Sequence, residues 1–318
     1  MRTGPAVSCN GLFHEAAFYS SDEEFLAVVL PFLLDGVAAG EPSVSIFGER
    51  NQRLVRAALG PDSGVTFIDG GHHYLRPAAA IRRHREMLAA YVAGGATQIR
   101  ITGDVPHPGV GVPWEWWARY EAAVNEVYDE FPMYGLCPYD TRTAPAEVLD
   151  DVRRTHTHVV ADDGRRVPSP AYLPPRDFLT TAVPSWTDPL EATPPAVLLA
   201  DPTPADARAA LAPLQLTAAL DGDEFDGLMV SVNEAVTNAI VHGRAPVRLH
   251  AWTEPGRIVV TVTDHGRGPA NPVAGLMPSG DGPGGLGLWL AHQLCAYVSL
   301  RPGPDGFTIR LIAETPGS

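Results

Sequence analysis

The sequence predicts two domains of different construction: a mainly parallel α/β domain, followed by a smaller α+β two-layer sandwich. At 318 residues, the chain is long enough for two hydrophobic cores. In its first half, short apolar strands alternate with helices, a pattern that favours a parallel sheet covered on both faces. In its second half, long helices come before paired strands, which favours helices packed on one antiparallel sheet.

The elements of the first half follow from their local signals. Ser21 and Glu24 have the spacing of a capping box, and they start an apolar helix that runs to Gly40. The chain then alternates between runs typical of strands and runs typical of helices. Strands are expected at 43–47, 65–69, 98–102 and 133–137, and further helices at 51–59, 77–93, 114–130 and 145–155.

A proline-rich segment, residues 161–197, separates domains expected at 1–160 and 198–318. Its repeated prolines exclude long helices and indicate a semi-rigid linker. In the second domain, apolar periodicity and turn residues place the elements. Helices are expected at 205–220, 223–243 and 286–297, a strand pair at 247–252 and 258–263, and a last hairpin that joins 298–301 to 307–312.

Composition excludes several classes of protein. The formal net charge of −14 argues against direct binding to nucleic acid or to an anionic membrane. The three cysteines are widely spaced and odd in number, which fits a reducing cytoplasm better than a disulfide framework. The first residues resemble no signal peptide, and no apolar run is long enough to span a bilayer. We therefore expect a soluble cytoplasmic protein.

Three patterns in the second domain suggest chemistry. Glu234 and Asn238 lie four residues apart on one helix, where they form a carboxylate–amide pair. Asp264 ends a strand and is followed by Gly266 and Gly268, which let a backbone approach a flat ring closely. The run GLG at 285–287 opens a helix whose N–H groups can cradle phosphate. Each pattern alone is also compatible with a solvated helix face or an ordinary turn.

Together and in this order, the patterns resemble the nucleotide-binding boxes of the gyrase, heat-shock chaperone, histidine kinase and MutL superfamily, over about residues 204–315. The run NEAVTNAIVHG at 233–243 is similar to its N box. The resemblance implies a Bergerat fold that binds ATP and Mg²⁺. It also implies that Asp264 binds the adenine amine, Asn238 holds Mg²⁺ and Glu234 is the general base, with residues 269–284 as the ATP lid. The other implied nucleotide-binding residues are His242, Gly266, Gly268, Gly285, Leu286 and Gly287.

Within that superfamily, the run GLGLWLAHQLC at 285–295 and the Glu of the N box most resemble the anti-sigma-factor serine kinases. Sensor histidine kinases carry a phospho-accepting helix pair before the ATPase domain, where this chain has prolines. We interpret His84, His156 and His158 as surface histidines. One position departs from the kinases, since Pro283 stands where they have an Arg; Arg267 is a candidate substitute.

The first domain resembles another family, the MEDS sensory domain, over about residues 10–158. The resemblance rests on HEAAFY at 14–19, EFLA at 24–27, GEPSV at 40–44, RRHREM at 82–87 and LCPYD at 136–140. It implies a RecA-like α/β fold. The run GERNQR at 48–53 lacks the Gly-Lys-Ser/Thr ending of a P-loop, so no ATP is expected there.

A small-molecule ligand in the first domain would be expected at the carboxyl ends of its strands. Side chains expected near those ends are His14, His72, His73, His107, Asp104, Cys137, Tyr139 and Asp140. The pair His72–His73 is more typical of a polar loop than of a metal site. Core packing is the expected role of Trp114, Trp116 and Trp117, although at least one is a candidate to line a pocket or an interface.

The two resemblances imply an ATP-dependent serine/threonine protein kinase that is controlled by a sensory domain and phosphorylates a STAS-type anti-sigma antagonist. In that role the protein would take part in signal transduction and transcription regulation, with homodimerisation common in the family. One alternative is an ATP-binding module that sequesters a sigma factor with little turnover, which Pro283 favours. The least favoured alternative is a histidine kinase that acts in trans.

Overall fold

A computed structural model describes residues 11–108, 113–161, 163–182, 186–271, 273–277, 286–303 and 306–315. The chain divides into two compact units, Met1–Pro184 and Ser185–Ser318. In the described parts of the chain, no helix is both long enough and apolar enough to cross a membrane.

The first unit alternates strands and helices along most of its length. Its strands are β1 (Phe13–Tyr19), β2 (Ser43–Phe47), β3 (Thr66–Asp69), β4 (Ile99–Gly103), β5 (Met133–Asp140), β6 (His158–Val160) and β7 (Arg166–Pro168). Its helices are α1 (Asp22–Ala38), α2 (Glu49–Leu59), α3 (Gly70–His73), α4 (Pro77–Ala93), α5 (Trp114–Val127), α6 (Ala146–Thr155) and the short α7 (Pro175–Asp177), which continues into a π-helical turn at Phe178–Ala182.

These strands form one seven-stranded sheet in the order β3-β2-β4-β5-β1-β6-β7. The pairs from β3 to β6 are parallel, and only β7 runs antiparallel to its neighbour β6. This confirms the predicted mainly parallel α/β fold. The four predicted strands are present, but β1, which lies between β5 and β6, was not predicted.

Helix α1 begins where the capping signal places it. The Ser21 side chain accepts a hydrogen bond from the Glu24 backbone N–H at 3.2 Å, and Glu24 Oε2 accepts one from the Ser20 N–H at 2.6 Å. The buried face of α1 then packs with side chains of β1, β2 and β5 in one apolar cluster. All three tryptophans of α5 are buried, as core packing requires.

The second unit contains the strands β8 (Val197–Ala200), β9 (Arg248–Glu254), β10 (Arg257–Asp264), β11 (Tyr297–Gly303) and β12 (Gly306–Glu314), and the helices α8 (Pro204–Leu211), α9 (Leu214–Ala218), α10 (Gly222–Val241) and α11 (Leu286–Leu294). The sheet has the order β11-β12-β10-β9-β8, with every pair antiparallel. Helices α8, α10 and α11 share one core with a single face of this sheet, which confirms the two-layer α+β prediction.

The helix predicted at 205–220 is instead two short helices, α8 and α9. Pro213 lies at the break between them. A proline has no backbone N–H and its ring clashes with the preceding turn, so the helix ends and restarts at this point. Strand β8, which pairs with β9, was also not predicted.

Both ends of the proline-rich segment are structured. Near its start, β7 pairs with β6 in the first sheet. Near its end, Asp188 and Glu191 accept hydrogen bonds from Arg257 and Arg310, each at 2.5 Å. Arg310 alternates along β12 with residues of the helix-covered core, so these ion pairs lie on the opposite face of the second sheet. The expected linker therefore contributes elements to both units.

Candidate nucleotide-binding site

Helix α10 carries the first part of the site. Its N-terminus is capped by Asp221, whose side chain accepts a hydrogen bond from the Glu224 N–H at 3.0 Å. The helix buries an apolar stripe with members Leu228, Val232, Ala235, Val236 and Ala239. That packing fixes the rotation of the helix, so Glu234 and Asn238 lie half-buried on the neighbouring face, where both line a cavity.

Asp264 is the second part, at the end of β10. Its carboxylate is buried, and Oδ1 accepts hydrogen bonds from the Arg244 N–H at 3.2 Å and the Gly266 N–H at 2.5 Å. Within the described chain, no donor satisfies the other oxygen, Oδ2, although Asp264 lines the same cavity as Asn238. A carboxylate held in this way presents one fixed acceptor to a ligand N–H group.

Glycines allow the backbone to close around this carboxylate. A Cβ at Gly243, just after α10, would collide with the Asp264 carboxylate and would lie 2.5 Å from the Ala239 carbonyl oxygen. Gly268 has a φ of +70°, and a Cβ there would enter the ring of Phe307. Only glycine fits these two close approaches, one to the Asp264 carboxylate and one to the Phe307 ring.

The cavity between α10, the sheet and α11 has a volume of about 580 Å³, which is in the range of small-molecule sites. Apolar side chains from β11 and β12 form one wall: Leu300, Phe307 and Ile309. Polar groups of Glu234, Asn238 and Asp264 converge on the same space. An apolar wall with one fixed acceptor suits a flat heterocycle that carries an amine.

The opposite part of the cavity suits phosphate and its cation. Gly287 lies in the first turn of α11, and a Cβ there would collide with Oε2 of Glu234. The glycine therefore keeps the helix N-terminus open, and the N–H groups of such a terminus favour anions. The side-chain carbonyl oxygen of Asn238 is a hard donor of the kind that Mg²⁺ prefers. The residues present fit ATP with Mg²⁺.

The structure brings most of the predicted site residues together. Glu234, Asn238, His242, Asp264, Gly268 and Gly287 all line the cavity. Gly266 is not among the lining residues and instead orients Asp264 through its N–H group. Leu286 begins α11 with its side chain exposed. Gly285 and Pro283 lie outside the described residues, as do parts of the expected lid, at 272 and 278–284.

Several lining residues were not predicted as site residues. Thr237 and Gly243 belong to the N box, so their position in that motif was an available signal. Phe307 and Ile309 lie on a strand more than forty residues after Asp264, and only the pairing of β10 with β12 brings them to the cavity. The exposed Arg267, the candidate substitute for an Arg before the second glycine box, is not among the lining residues.

The histidines of the first unit require a correction. His84 and His156 were interpreted as surface residues, but they are 1% and 0% exposed. His84 Nδ1 lies 2.7 Å from Nε2 of His73, and the ring of His156 lies against that of His14 at a tilt of 33°, with 3.9 Å between ring centroids. His84 also stacks on Tyr128, so rings from more than one element enclose each histidine, and sequence spacing does not reveal this.

The carboxyl edge of the first sheet also differs from expectation. Asp104 accepts hydrogen bonds from the Gly48 N–H at 2.8 Å and from Asn51 at 2.9 Å. Asp140 pairs with Arg142 at 2.6 Å. These carboxylates are satisfied by the protein itself, whereas His14 and Cys137 meet on the face of the sheet rather than at its carboxyl edge.

The second unit thus has the fold and the cavity of a nucleotide-binding domain, and comparison with known proteins agrees. A family model described as "Histidine kinase-like ATPase domain" matches residues 199–313. A second, described as "MEDS: MEthanogen/methylotroph, DcmR Sensory domain", matches residues 13–157. The chain therefore combines an N-terminal MEDS domain with a C-terminal histidine kinase-like ATPase domain, which supports an ATP-binding regulatory role.

Among solved structures, the chain is similar to the NMR structure of the histidine kinase domain of the E. coli osmosensor EnvZ. The identity is 18%, the match covers 40% of this chain and 92% of that chain, and the TM-score is 0.24. No curated protein matches the chain.

Proposed function

We propose that the protein is an ATP-dependent serine/threonine protein kinase of the anti-sigma type, controlled by its N-terminal sensory domain. Its substrate would be a Ser or Thr hydroxyl on a STAS-type anti-sigma antagonist. The observation that carries this proposal is the convergence of Glu234, Asn238 and Asp264 on one cavity beside the N-terminus of α11. In this arrangement, Asp264 offers a hydrogen-bond acceptor to the adenine amine, Asn238 offers a ligand to Mg²⁺, and Glu234 is the candidate acceptor of the hydroxyl proton.

Glu234 is the residue that favours phosphoryl transfer over binding alone. Its carboxylate lies against Gly287, at the helix N-terminus where phosphate is expected. From there it can accept the hydroxyl proton while the hydroxyl oxygen bonds to the γ-phosphorus and ADP leaves. Positioning and the charge of Mg²⁺ would supply most of the rate enhancement, as is usual in phosphoryl transfer.

Histidine phosphorylation within the chain is a weaker reading. His84 and His156 are buried among aromatic and histidine rings, so neither is accessible to a phosphoryl donor. In the described part of the second unit, the α-helices that precede α10 are α8 (eight residues) and α9 (five residues). Neither is long enough for a dimerising helix pair.

A second candidate function is an ATP-dependent binding module that sequesters a sigma factor or another partner with little turnover. The sequence observation that favours it is Pro283, which stands where the resembling kinases have an Arg. In this case the cavity would bind Mg-ATP, and the partner would be held without being modified.

The test is incubation of the full chain with γ-labelled ATP, Mg²⁺ and candidate STAS proteins. Acid-stable label on the partner is expected, because phosphoserine and phosphothreonine survive acid. Acid-labile label would overturn the proposal in favour of histidine chemistry. Binding of Mg-ATP and partner with no transfer of label would overturn it in favour of the binding module.

Two variants of α10 sharpen this test. Glu234→Ala should abolish labelling, because the candidate base is removed. Asn233→Ala is the matched control: Asn233 is adjacent on the same helix, but its side chain accepts a hydrogen bond from Arg208 and does not line the cavity. Labelling that persists in Glu234→Ala would show that the Glu234 carboxylate is not the proton acceptor.

A further inference from the structure

Four potential metal-ligating side chains meet in the first unit, far in sequence from the nucleotide site. His14 comes from β1, Cys137 from β5, Glu121 from α5 and His156 from the residue after α6. One ligand atom from each lies within 4.8 Å of all the others. Cys137 is partly exposed, and the other three side chains are at most 3% exposed.

Three of the six distances between these atoms are close to the edges of a tetrahedral metal site. The His14 Nε2 atom lies 3.4 Å from Glu121 Oε2 and 3.4 Å from Cys137 Sγ. His156 Nε2 lies 3.6 Å from the same Glu121 oxygen. With Zn–N and Zn–O bonds of about 2.0 Å and a Zn–S bond of about 2.3 Å, tetrahedral geometry requires ligand separations of about 3.3–3.5 Å.

In each imidazole, a hydrogen bond at Nδ1 leaves the lone pair of Nε2 directed into the cluster. His14 Nδ1 lies 3.2 Å from Asn125 Oδ1, and the Asn125 amide N–H₂ donates to backbone carbonyls, so its oxygen is the acceptor. His156 Nδ1 donates to the Val152 carbonyl at 2.9 Å. Both rings therefore carry their proton on Nδ1 and leave Nε2 as a donor of electrons, the usual arrangement around a metal-bound histidine.

The carboxylate is oriented in the same way. Tyr139 donates its hydroxyl hydrogen to Glu121 Oε1 at 2.8 Å, while Glu121 Oε2 faces the two imidazoles. Within the described chain, Glu121 Oε2 and His156 Nε2 are buried atoms without a hydrogen-bond partner. Such orphaned atoms are rare and costly, so their grouping around one point requires an explanation.

One cation would satisfy the unpartnered atoms of the cluster. Glu121 Oε2 and His156 Nε2 have no hydrogen-bond partner among the described residues, and His14 Nε2 and Cys137 Sγ lie beside them. Coordination to a metal ion uses the lone pairs of all four atoms at once.

We propose that His14, Glu121, Cys137 and His156 bind one divalent transition-metal ion of the zinc class in the first unit. The mixed nitrogen, sulfur and oxygen donors and the tetrahedral separations are typical of Zn²⁺. The ion would connect β1, β5, α5 and the end of α6. Its thiolate ligand, Cys137, is the side chain of the four that solvent reaches most easily.

The test uses the full chain, freed of metal by a chelator and titrated with Co²⁺ and then with Zn²⁺. Co²⁺ should bind at one equivalent per chain, with visible bands of a tetrahedral ion and a thiolate charge-transfer band, and Zn²⁺ should displace it. Cys137→Ser should remove the charge-transfer band. Glu121→Gln retains the shape and the acceptor for Tyr139 but should weaken binding, and Asn125→Leu should cost about 10- to 100-fold in affinity.

Two controls separate this site from adventitious binding. His72→Gln removes an exposed histidine, and Cys295→Ser removes a thiol of the other unit; both should leave the spectrum and affinity unchanged. Near-ultraviolet circular dichroism establishes that each variant is folded. A measurement without variants is also decisive, because Zn²⁺ should slow alkylation of Cys137 at least tenfold. Absence of a thiolate band in the parent, or an unaltered Cys137 alkylation rate, would overturn the proposal.

Discussion

Replacing Asp264 by Asn tests how the cavity recognises its ligand. In the structure, Oδ1 accepts hydrogen bonds from the Arg244 and Gly266 N–H groups. These two donors require an oxygen at that position, so the new amide must place its NH₂ group where Oδ2 was. A donor would then face the amine of an adenine ring, where the carboxylate offers an acceptor.

The expected magnitude follows from this exchange. A hydrogen bond to a charged group contributes about 1.5–3 kcal/mol, and its loss lowers affinity by about tenfold to 150-fold. Calorimetric titration of the full chain with Mg-ATP measures the change. The matched control is Asp201→Asn, because Asp201 also accepts a backbone N–H, from Val247 at 2.7 Å, but does not line the cavity. Equal ATP affinity in the parent and in a folded Asp264→Asn variant would refute the recognition role.

Three further predictions concern the two units. Glu234→Ala should retain Mg-ATP but lose phosphoryl transfer, whereas Asn238→Ala should weaken Mg²⁺-dependent binding itself; calorimetry and label transfer separate the two effects. Gly268→Ala should lower the free energy of unfolding by about 1–2 kcal/mol, because alanine is strained at a φ of +70°. Collision of the new Cβ with the Phe307 ring should lower it further, and denaturant titration measures the total. Burial lowers the pKa of His84 from 6.5 to about 3, so NMR should show a neutral ring at pH 5. The neutral, buried ring contributes fully to the stability of the fold above pH 6.5, and this contribution is lost as the pH falls towards 3.

Each of these predictions has its own control. If Glu234→Ala and Asn238→Ala bind and turn over like the parent, the helix face is merely structural. Gly40→Ala has a similar φ, +73°, with open space around its Cβ, so a loss equal to that of Gly268→Ala would exclude the ring collision. A His84 resonance that titrates near pH 6.5 would show that the ring is solvated rather than buried.

The site was predictable where its geometry is local. Gly266 follows Asp264 by two residues and donates to its carboxylate, so the motif and the contact coincide. Glu234 and Asn238 share a face because of helical periodicity alone. The apolar wall formed by Phe307 was beyond such reasoning, because it depends on the register between β10 and β12.

Strand β1 was missed because its sequence contains charge that the fold buries. Glu15 is fully buried, and it pairs with Arg166 at 3.0 Å and accepts a hydrogen bond from Tyr134 at 2.6 Å. Both partners are more than a hundred residues away. A run with His14 and Glu15 at its start does not have the apolar pattern of a central parallel strand. The burial of the Glu15 carboxylate depends on its ion pair and hydrogen bond with residues distant in sequence.

The central claim, that the chain binds ATP in the cavity of its second unit, is tested most directly by hydrogen–deuterium exchange of the full chain with and without Mg-ATP. We expect protection in peptides that cover residues 234–243 and 264–268, because their backbone surrounds the cavity, and unchanged exchange at 48–53, where the first unit lacks the P-loop ending. Protection at 48–53 with no change at 234–243 and 264–268 would contradict the account.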